Sequence, residues 1–287
     1  MSRADCLHVD LDGAWNQDSV NAFGEFPYVD CRMWGPELRY SSHARGIDAF
    51  YNFIADKLGR FTLFGSGDYH HLTALWLRQI QEPFVLVSFD NHPDWDTRPP
   101  RWGCGTWINR ALELPNLRRA AIWGCGNFEL NWPGYLFISG KALREQRIEV
   151  WPWHERLKPS GQKRWGGITR EGWKESFTGF AQQLAGQKVY VTVDLDCLAA
   201  DASATNWENG LFAPEEVAWA LGEIRRHGEI LGGDLCGAYS PQRYARWRQR
   251  IEAKIDHPKL PPQHGHGAAE RNERAFRVIW KELINGS

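Results

Sequence analysis

The stretch VSFDNHPDWDT, residues 87–97, joins the end of an apolar run to a dense group of charged side chains. The run FVLVSF (84–89) is typical of a buried strand, and Asp90, His92 and Asp94 follow it at intervals of two residues. Alternate residues of an extended segment point to the same side of the chain. The spacing therefore predicts that these three side chains converge on one point just beyond the end of a strand.

Two further apolar runs end in residues of the same types. FTLFG is followed by His70 and His71, and YVTV leads into Asp194 and Asp196. In an open parallel sheet, functional groups collect beyond the carboxyl ends of the strands. Carboxylates and imidazoles gathered there repel one another unless a cation lies between them. The three strand ends together therefore predict a divalent metal centre.

The donor types indicate which metal this centre binds. Carboxylate and imidazole ligands without a thiolate favour Mn²⁺, with Zn²⁺, Fe²⁺, Ni²⁺ or Co²⁺ as alternatives. The six candidate ligands, four of them carboxylates that can bridge two ions, are more than one ion needs. The sequence therefore predicts two ions per chain.

The rest of the chain predicts an α/β fold in which strands alternate with helices. The apolar runs are almost continuously hydrophobic, which favours strands buried on both faces of a mostly parallel sheet with helices on both sides. Near the end, LPPQHGHG (260–267) predicts a linker before a final amphipathic helix, 268–285. The predicted strands are 6–11, 61–65, 84–89, 120–124, 148–153, 188–195 and 229–235, and the clearest internal helices are 71–80, 172–185 and 214–227.

Composition excludes several classes of function. The net charge of the 287 residues is −1 with neutral histidines, which argues against nucleic acid as a partner. No apolar run approaches the length of a membrane span, and the N-terminus lacks the apolar segment of a secretory leader. The six cysteines are scattered and form no C-x-x-C pair. These observations predict reduced thiols and a cytoplasmic location.

Three motifs resemble the fingerprints of the ureohydrolase (arginase/agmatinase) superfamily. GSGDYH, DNHPD and VDLD occur in the same order as that superfamily's G-G-D-H, D-A-H-x-D and S-x-D-x-D. SATNWENGLFAPEEV (203–217) and WGCGTW (102–107) extend the similarity to about two thirds of the chain. The resemblance implies a three-layer α/β/α sandwich formed by one domain, 1–287, a small-molecule substrate, and the homo-oligomeric assembly that is common in the superfamily.

The resemblance also implies roles for individual residues. The position of the first ligand is shared by three candidates: His70 is favoured, while His71 or Tyr69 are alternatives because GDYHH is one residue longer than the family pattern. Asp94, His71 and Cys104 are the implied catalytic or substrate-contacting residues. The implied ligands of the two Mn²⁺ ions are His70, Asp90, His92, Asp94, Asp194 and Asp196.

The sequence departs from the family where the substrate's guanidinium group would bind. Gly237 stands near the usual position of a glutamate on the last strand, Cys104 replaces a loop histidine, and Ala199 replaces an aspartate. The metal ligands are thus retained, while the guanidinium-binding groups are lost. Arginine and agmatine are accordingly predicted to be poor substrates.

The predicted function is hydrolysis of a non-peptide C–N bond, in an amidine, guanidino, formimino or linear amide compound, by a metal-bridging hydroxide. Asp94 is expected to hold the hydroxide and pass its proton to the leaving amine. One alternative is a deacetylase-like amide hydrolase with a single Zn²⁺, suggested by the adjacent His70 and His71. Another is a metal-stabilised binding protein without catalytic activity, suggested by the lost glutamate.

Overall fold

The computed structural model describes residues 5–22, 24, 26–258 and 267–285. Within this part of the chain, eight strands form one sheet in the order β2-β1-β3-β8-β7-β4-β5-β6, and every neighbouring pair is parallel. The strands are β1 (Cys6–Asp10), β2 (Tyr28–Asp30), β3 (Phe61–Phe64), β4 (Phe84–Phe89), β5 (Leu117–Trp123), β6 (Ile148–Trp151), β7 (Lys188–Asp194) and β8 (Glu229–Cys236).

Helices cover both faces of the sheet. Strand β4 shows this directly, because Phe84 and Leu86 pack into one hydrophobic core while Val85 and Val87 pack into the other. The helices are α1 (Gln17–Asn21), α2 (Gly35–Leu38), α3 (Ala44–Ile54), α4 (Thr73–Trp76), α5 (Trp107–Ala111), α6 (Gly140–Arg144), α7 (Pro159–Trp165), α8 (Trp173–Gln182), α9 (Pro214–His227), α10 (Trp247–Asp256) and α11 (Ala268–Ile284).

The predicted three-layer α/β/α sandwich is confirmed. The first core lies between the sheet and α8, α9 and α11, and the second lies between the sheet and α3, α4 and α5. Each strand of the sheet centre is therefore buried on both sides, which explains why its sequence is continuously apolar. Among the residues that the structure describes, no helix is long and apolar enough to cross a membrane.

Some elements differ from those predicted. The edge strand β2 was not predicted, since its three residues are partly exposed and give no apolar run. Helix α3 was also missed, although Ile47, Phe50 and Ile54 place one buried stripe along it. The predicted helix 71–80 is instead a 3-10 turn, Gly67–Leu72, followed by α4 and a second short turn. The linker 260–267 lies outside the described residues except for Gly267.

Candidate metal centre

The ends of β3, β4 and β7 bring the predicted ligands together at one edge of the sheet. His70 lies on the 3-10 turn after β3, and Asp90 follows β4 directly. Asp194 is the last residue of β7, and Asp196 lies on the short 3-10 turn that follows it. All four of these side chains are buried.

His70 faces three carboxylates through one ring nitrogen. Its Nδ1 lies 3.0 Å from Oδ2 of Asp90, 3.3 Å from Oδ2 of Asp94 and 3.6 Å from Oδ2 of Asp194. Ligands that share a first-row divalent ion at bonds of about 2.1 Å stand roughly 3 to 4 Å apart. These spacings therefore suit a cation placed between the imidazole and the carboxylates.

His92 forms a second group on the other side of Asp90. Its Nδ1 lies 2.8 Å from Oδ2 of Asp196 and 3.6 Å from Oδ1 of Asp90. His70 approaches Oδ2 of Asp90, so the two oxygens of this carboxylate serve different groups. Asp90 thus links the two groups of candidate ligands.

The three side chains of the DNHPD motif do not converge on one point, as their spacing predicted, but divide between two groups. Asp94 joins Asp90 and His70, whereas His92 joins Asp90 and Asp196. The physical reason is the backbone of Asp94, whose φ of 48° lies in the left-handed region and ends the extended segment. Its side chain is held in place because the indole N–H of Trp107 donates a hydrogen bond of 2.5 Å to Oδ2.

The electrostatics of this cluster fit divalent cations. Burial and the neighbouring charge of Asp90 raise the pKa of Asp94 to about 7, and the same two causes raise the pKa of Asp196 to about 7. The chain alone therefore does not supply enough positive charge to keep these buried carboxylates ionised. Two divalent ions would balance the charges of the four aspartates, and the imidazole and carboxylate donors match the chemistry of such ions.

A hydrogen-bonded chain supports His70 from behind. Its Nε2 lies 2.9 Å from Oγ1 of Thr192, which donates a hydrogen bond of 2.5 Å to Oδ1 of Asp234. The hydroxyl of Tyr190 donates to the other oxygen of Asp234 at 2.9 Å. Since Nε2 is engaged in this way, Nδ1 is the ring nitrogen left to bind a metal.

Comparison with known proteins supplies the fold. The sequence matches no protein-family model. A Thermotoga maritima protein described only as uncharacterized is 28% identical over 253 residues, which are 87% of this chain and 86% of that protein.

Solved structures are more informative. The arginase of Bacillus cereus is 15% identical with a TM-score of 0.58, covering 96% of this chain and 98% of that one. The agmatine ureohydrolase of Thermoplasma volcanium is 12% identical with a TM-score of 0.53, covering 99% and 92%. The formimidoylglutamase of Bacillus subtilis is 12% identical with a TM-score of 0.54, covering 98% and 87%. The chain has the ureohydrolase fold.

Within this ureohydrolase fold, His70 and His71 occupy different surroundings. His70 lines the cavity above the cluster, whereas His71 is fully buried and does not line it. Burial and the charge of His70 lower the pKa of His71 to about 3, so its ring is neutral. Tyr69 is buried as well, and its hydroxyl donates to the carbonyl oxygen of Gly35 at 3.1 Å. The geometry thus brings only His70 to the carboxylates.

Two cysteines approach the site. Cys104 lines the cavity, and burial raises the pKa of its thiol well above the ordinary value, so it is a neutral contact surface rather than a nucleophile. The Cys236 thiol donates to Oδ2 of Asp194 at 3.5 Å and lies close to His70. The sequence motifs gave no reason to place a thiol there, since the position of Cys236 depends on β8 pairing with β7.

Gly237 has a structural explanation in this ureohydrolase fold. Its φ is +103°, and a Cβ at this position would lie 2.2 Å from Oδ1 of Asp194 and 2.5 Å from the backbone nitrogen of Leu195. A side chain here would displace Asp194 from the cluster. The position near the family's glutamate is therefore closed to any larger residue.

Several residues that line the cavity were not predicted from the sequence. His92 Nε2 lies 3.2 Å from Oε2 of Glu208, a contact that fixes the imidazole from its outer side. Glu208 lies inside the stretch 203–217 that carried the resemblance, but Asp256 stands at the end of α10, where no motif marked it. Cavity-lining residues that likewise had no individually predicted role include Asn127, Phe128, Glu129 and Trp207.

Proposed function

We propose that this protein is a metal-dependent hydrolase of a non-peptide C–N bond, in an amidine, guanidino, formimino or linear amide compound. The observation that carries the proposal is the buried cluster in which both oxygens of Asp90 serve separate groups of ligands. The names of the structural neighbours, arginase, agmatine ureohydrolase and formimidoylglutamase, support the same reaction class.

Two divalent cations, most simply Mn²⁺, would supply positive charge and a water molecule of lowered pKa. His70, Asp90, Asp94 and Asp194 would hold the first, and Asp90, His92 and Asp196 would hold the second. The residues of the chain fix this geometry before any ligand arrives, since all of the carboxylates are buried and hydrogen-bonded or paired.

Asp94 is suited to move a proton during the reaction. Its Oδ2 accepts from Trp107 and faces His70, and its carboxyl group lines the cavity. A carboxylate that lines the cavity beside the proposed metal ligands can accept the proton of a water molecule and return it to a leaving group. In the proposed reaction, Asp94 takes the proton of the attacking water and gives it to the leaving amine.

Counting metals while assaying turnover tests the proposal. Metal-free protein is loaded with Mn²⁺ or, in a parallel sample, with Zn²⁺, desalted and measured by elemental analysis, and then incubated with guanidino, amidino, formimino and acylamine compounds. Two ions per chain together with release of ammonia, urea or an amine are the expected result. One Zn²⁺ per chain with acylamine hydrolysis would replace the proposal by a deacetylase-like reaction. Two ions without any turnover would replace it by a binding function.

A further inference from the structure

We propose that the substrate of this protein carries an uncharged apolar tail, an alkyl or aryl group, which lies in a groove outside the cavity above the metal ligands. We call this space the outer groove, and its apolar lining includes Tyr40, Pro99, Pro100, Phe128 and Ile255. The inference rests on the proposed function for the reaction itself, but the tail can be tested by binding without turnover.

The cavity above the metal ligands has room only for the reacting group of a substrate. Its volume is about 30 Å³, and a cavity needs roughly 10 to 15 Å³ for each water molecule that it holds. Sites for whole small molecules usually measure about 300 to 1,000 Å³. Any substrate larger than a few atoms must therefore extend beyond this cavity.

The outer groove is the space into which such a substrate would extend. Its volume is about 310 Å³, and it adjoins the cavity because five residues line both spaces. These residues are Cys104, Gly105, Phe128, Glu129 and Asp256. The part of a substrate that follows the reacting group therefore meets the walls of the outer groove.

Exposed apolar side chains are concentrated around the outer groove. Among the described residues, nine large apolar side chains are exposed, and six of them lie in the segment 128–136 or on α10. The six are Phe128, Trp132, Leu136, Trp247, Ile251 and Ile255. Single apolar side chains on a surface are ordinary, but a concentration of them marks a binding surface. Phe128 and Ile255, which are 58% and 80% exposed, line the groove itself and would be covered by an apolar tail.

The backbone that carries Phe128 is held in place. Phe128 begins a 3-10 turn, Phe128–Leu130, which the side chain of Asn127 caps by accepting from the backbone nitrogen of Glu129 at 3.3 Å. A Cβ at Gly134 would lie 2.7 Å from Cα of Glu129, so the two parts of this segment pack tightly against each other. A preformed wall of this kind can bind an apolar group at little cost in conformational entropy.

Helix α10, which carries Ile255, is also anchored beside the groove. The hydroxyl of Tyr40 donates to Oδ2 of Asp256 at 3.1 Å, and Nε2 of His257 bonds to Oδ1 of Asp68 at 2.7 Å. The exposed side chain of Ile255 is therefore presented by a fixed helix end.

The charges along the groove disfavour a tail that ends in a carboxylate. Among the described residues that line it, only Arg98 is a lysine or an arginine, and its Nε donates to Oδ2 of Asp96 at 2.9 Å. Glu129 lies where the groove meets the cavity, and its Oε2 is buried without a hydrogen-bond partner in the described part of the chain. Glu252 and Asp256 add two more carboxylates. An anionic tail would be repelled, whereas an uncharged apolar one gains from the apolar lining.

Calorimetry on the metal-loaded full-length protein tests the tail without any reaction. The probes are straight-chain alkyl hydroxamic acids of two to eight carbons, whose common head group chelates divalent ions while only the tail varies. Affinity is expected to rise about fourfold with each added methylene group until the groove is filled, the usual gain from burying one such group. Probes of the same length whose tails end in a carboxylate or an ammonium group should bind more weakly than octanohydroxamic acid.

Two variants separate the tail from the head group. Phe128→Ser and Ile255→Ser should each weaken binding of octanohydroxamic acid about tenfold and leave acetohydroxamic acid unchanged, because the shorter probe does not reach the groove. Ile251→Ser is the matched control, since Ile251 lies one turn earlier on the same helix, is exposed and is not among the described residues that line the groove. All three side chains are exposed, so the variants are expected to fold.

Three results would overturn the inference. They are an affinity that does not depend on chain length, tighter binding of the probes that end in an ammonium group, and equal loss of binding in Ile251→Ser and Ile255→Ser. If the equal loss comes with a change of molecular mass on sedimentation, the apolar surface joins copies of this chain instead.

A different result would refute the proposed function and leave the groove to be tested by itself. If no hydroxamic acid binds, acetohydroxamic acid included, the metal site is absent. Metal-free protein is then mixed with N-phenyl-1-naphthylamine, an uncharged dye that fluoresces in apolar surroundings. Fluorescence that 1-octanol displaces and that Ile255→Ser lowers would support the apolar tail, and absence of fluorescence would overturn it.

Discussion

Two regions of the same cavity are built in different ways: the inner cluster, which is the set of six proposed metal ligands, and the outer wall, which includes Glu129 and Asp256. The inner cluster takes its ligands from three strand ends, and each group of ligands occupies a short motif directly after an apolar run. The outer wall takes Glu129 from a loop and Asp256 from the last turn of a helix far along the chain. The strand ends therefore position the proposed metal ligands, while a loop and a helix late in the chain line the rest of the cavity.

Asp90→Asn should have the largest effect, because this one side chain serves both groups of ligands. We expect loss of at least one ion per chain and a fall in activity of about a thousandfold or more, as expected when metal assistance worth several kcal/mol is removed. Elemental analysis and turnover measure the two effects. Asp201→Asn, on an exposed turn after the third motif, is the control. Full metal content in Asp90→Asn would contradict the bridging role.

Gly237→Ala should be the most damaging change that removes no ligand. The added methyl group would overlap Oδ1 of Asp194 in a backbone conformation of φ +103°, and the combined strain should cost about 3 kcal/mol. Urea unfolding of the metal-free protein measures the loss. Gly186→Ala is matched, because Gly186 also has positive φ, +69°, but has nothing within 4 Å of its Cβ position. Equal losses in the two variants would show that the contact with Asp194 does not matter.

The buried carboxyl group of Asp234, which supports His70 through Thr192, should make the stability of the protein depend on pH. Burial raises its pKa from 3.8 to about 6, so the folded state holds this proton more tightly than the unfolded state. Stability is therefore greatest below pH 4 for this group and falls as the pH rises to 6, by on the order of 3 kcal/mol. Urea unfolding of the metal-free protein across this interval should show a smaller fall in Asp234→Asn. A slope identical to that of the unchanged protein would contradict the prediction.

Glu208→Gln should have a smaller effect on metal binding. Glu208 lies between the two regions, because it lines the cavity and also contacts His92. Its carboxylate contacts Nε2 of His92, and loss of such support typically weakens metal binding by about tenfold or more. Competition with a chelator measures the affinity, and the second ion should be lost first. Glu175→Gln, on the exposed face of α8, is the control and should leave the affinity unchanged. Equal metal affinity in Glu208→Gln and the unchanged protein would contradict the support of His92 by Glu208.

The sequence predicted the inner cluster well for a physical reason. The apolar runs of β3, β4 and β7 mark strands, and parallel strands place their carboxyl ends at the same edge of a sheet. The motifs after these strands therefore sufficed to bring His70 and Asp194 together. One detail of the cluster was not predictable from residue spacing. The left-handed backbone conformation of Asp94 places its side chain in a different group of ligands from that of His92.

The outer wall could not be predicted in the same way. Asp256 looks like one more charge on an amphipathic helix until Tyr40 and Asp68 anchor that helix beside the cavity. The open oxygen of Glu129 becomes visible only once its surroundings are known. Such positions depend on contacts between segments distant in sequence, for which a single chain offers no local pattern.

The position of β8 has a consequence for the synthesis of the protein. All six proposed metal ligands precede residue 197, yet β8 (Glu229–Cys236) lies in the sheet between β3 and β7. When residues 1–197 have left the ribosome, every proposed ligand is present but β8 is not. Because β8 pairs with both β3 and β7, the sheet that places His70 next to Asp194 is then incomplete. We therefore expect the chain to capture its ions only after β8 has joined the sheet, although every proposed ligand has been synthesised by then.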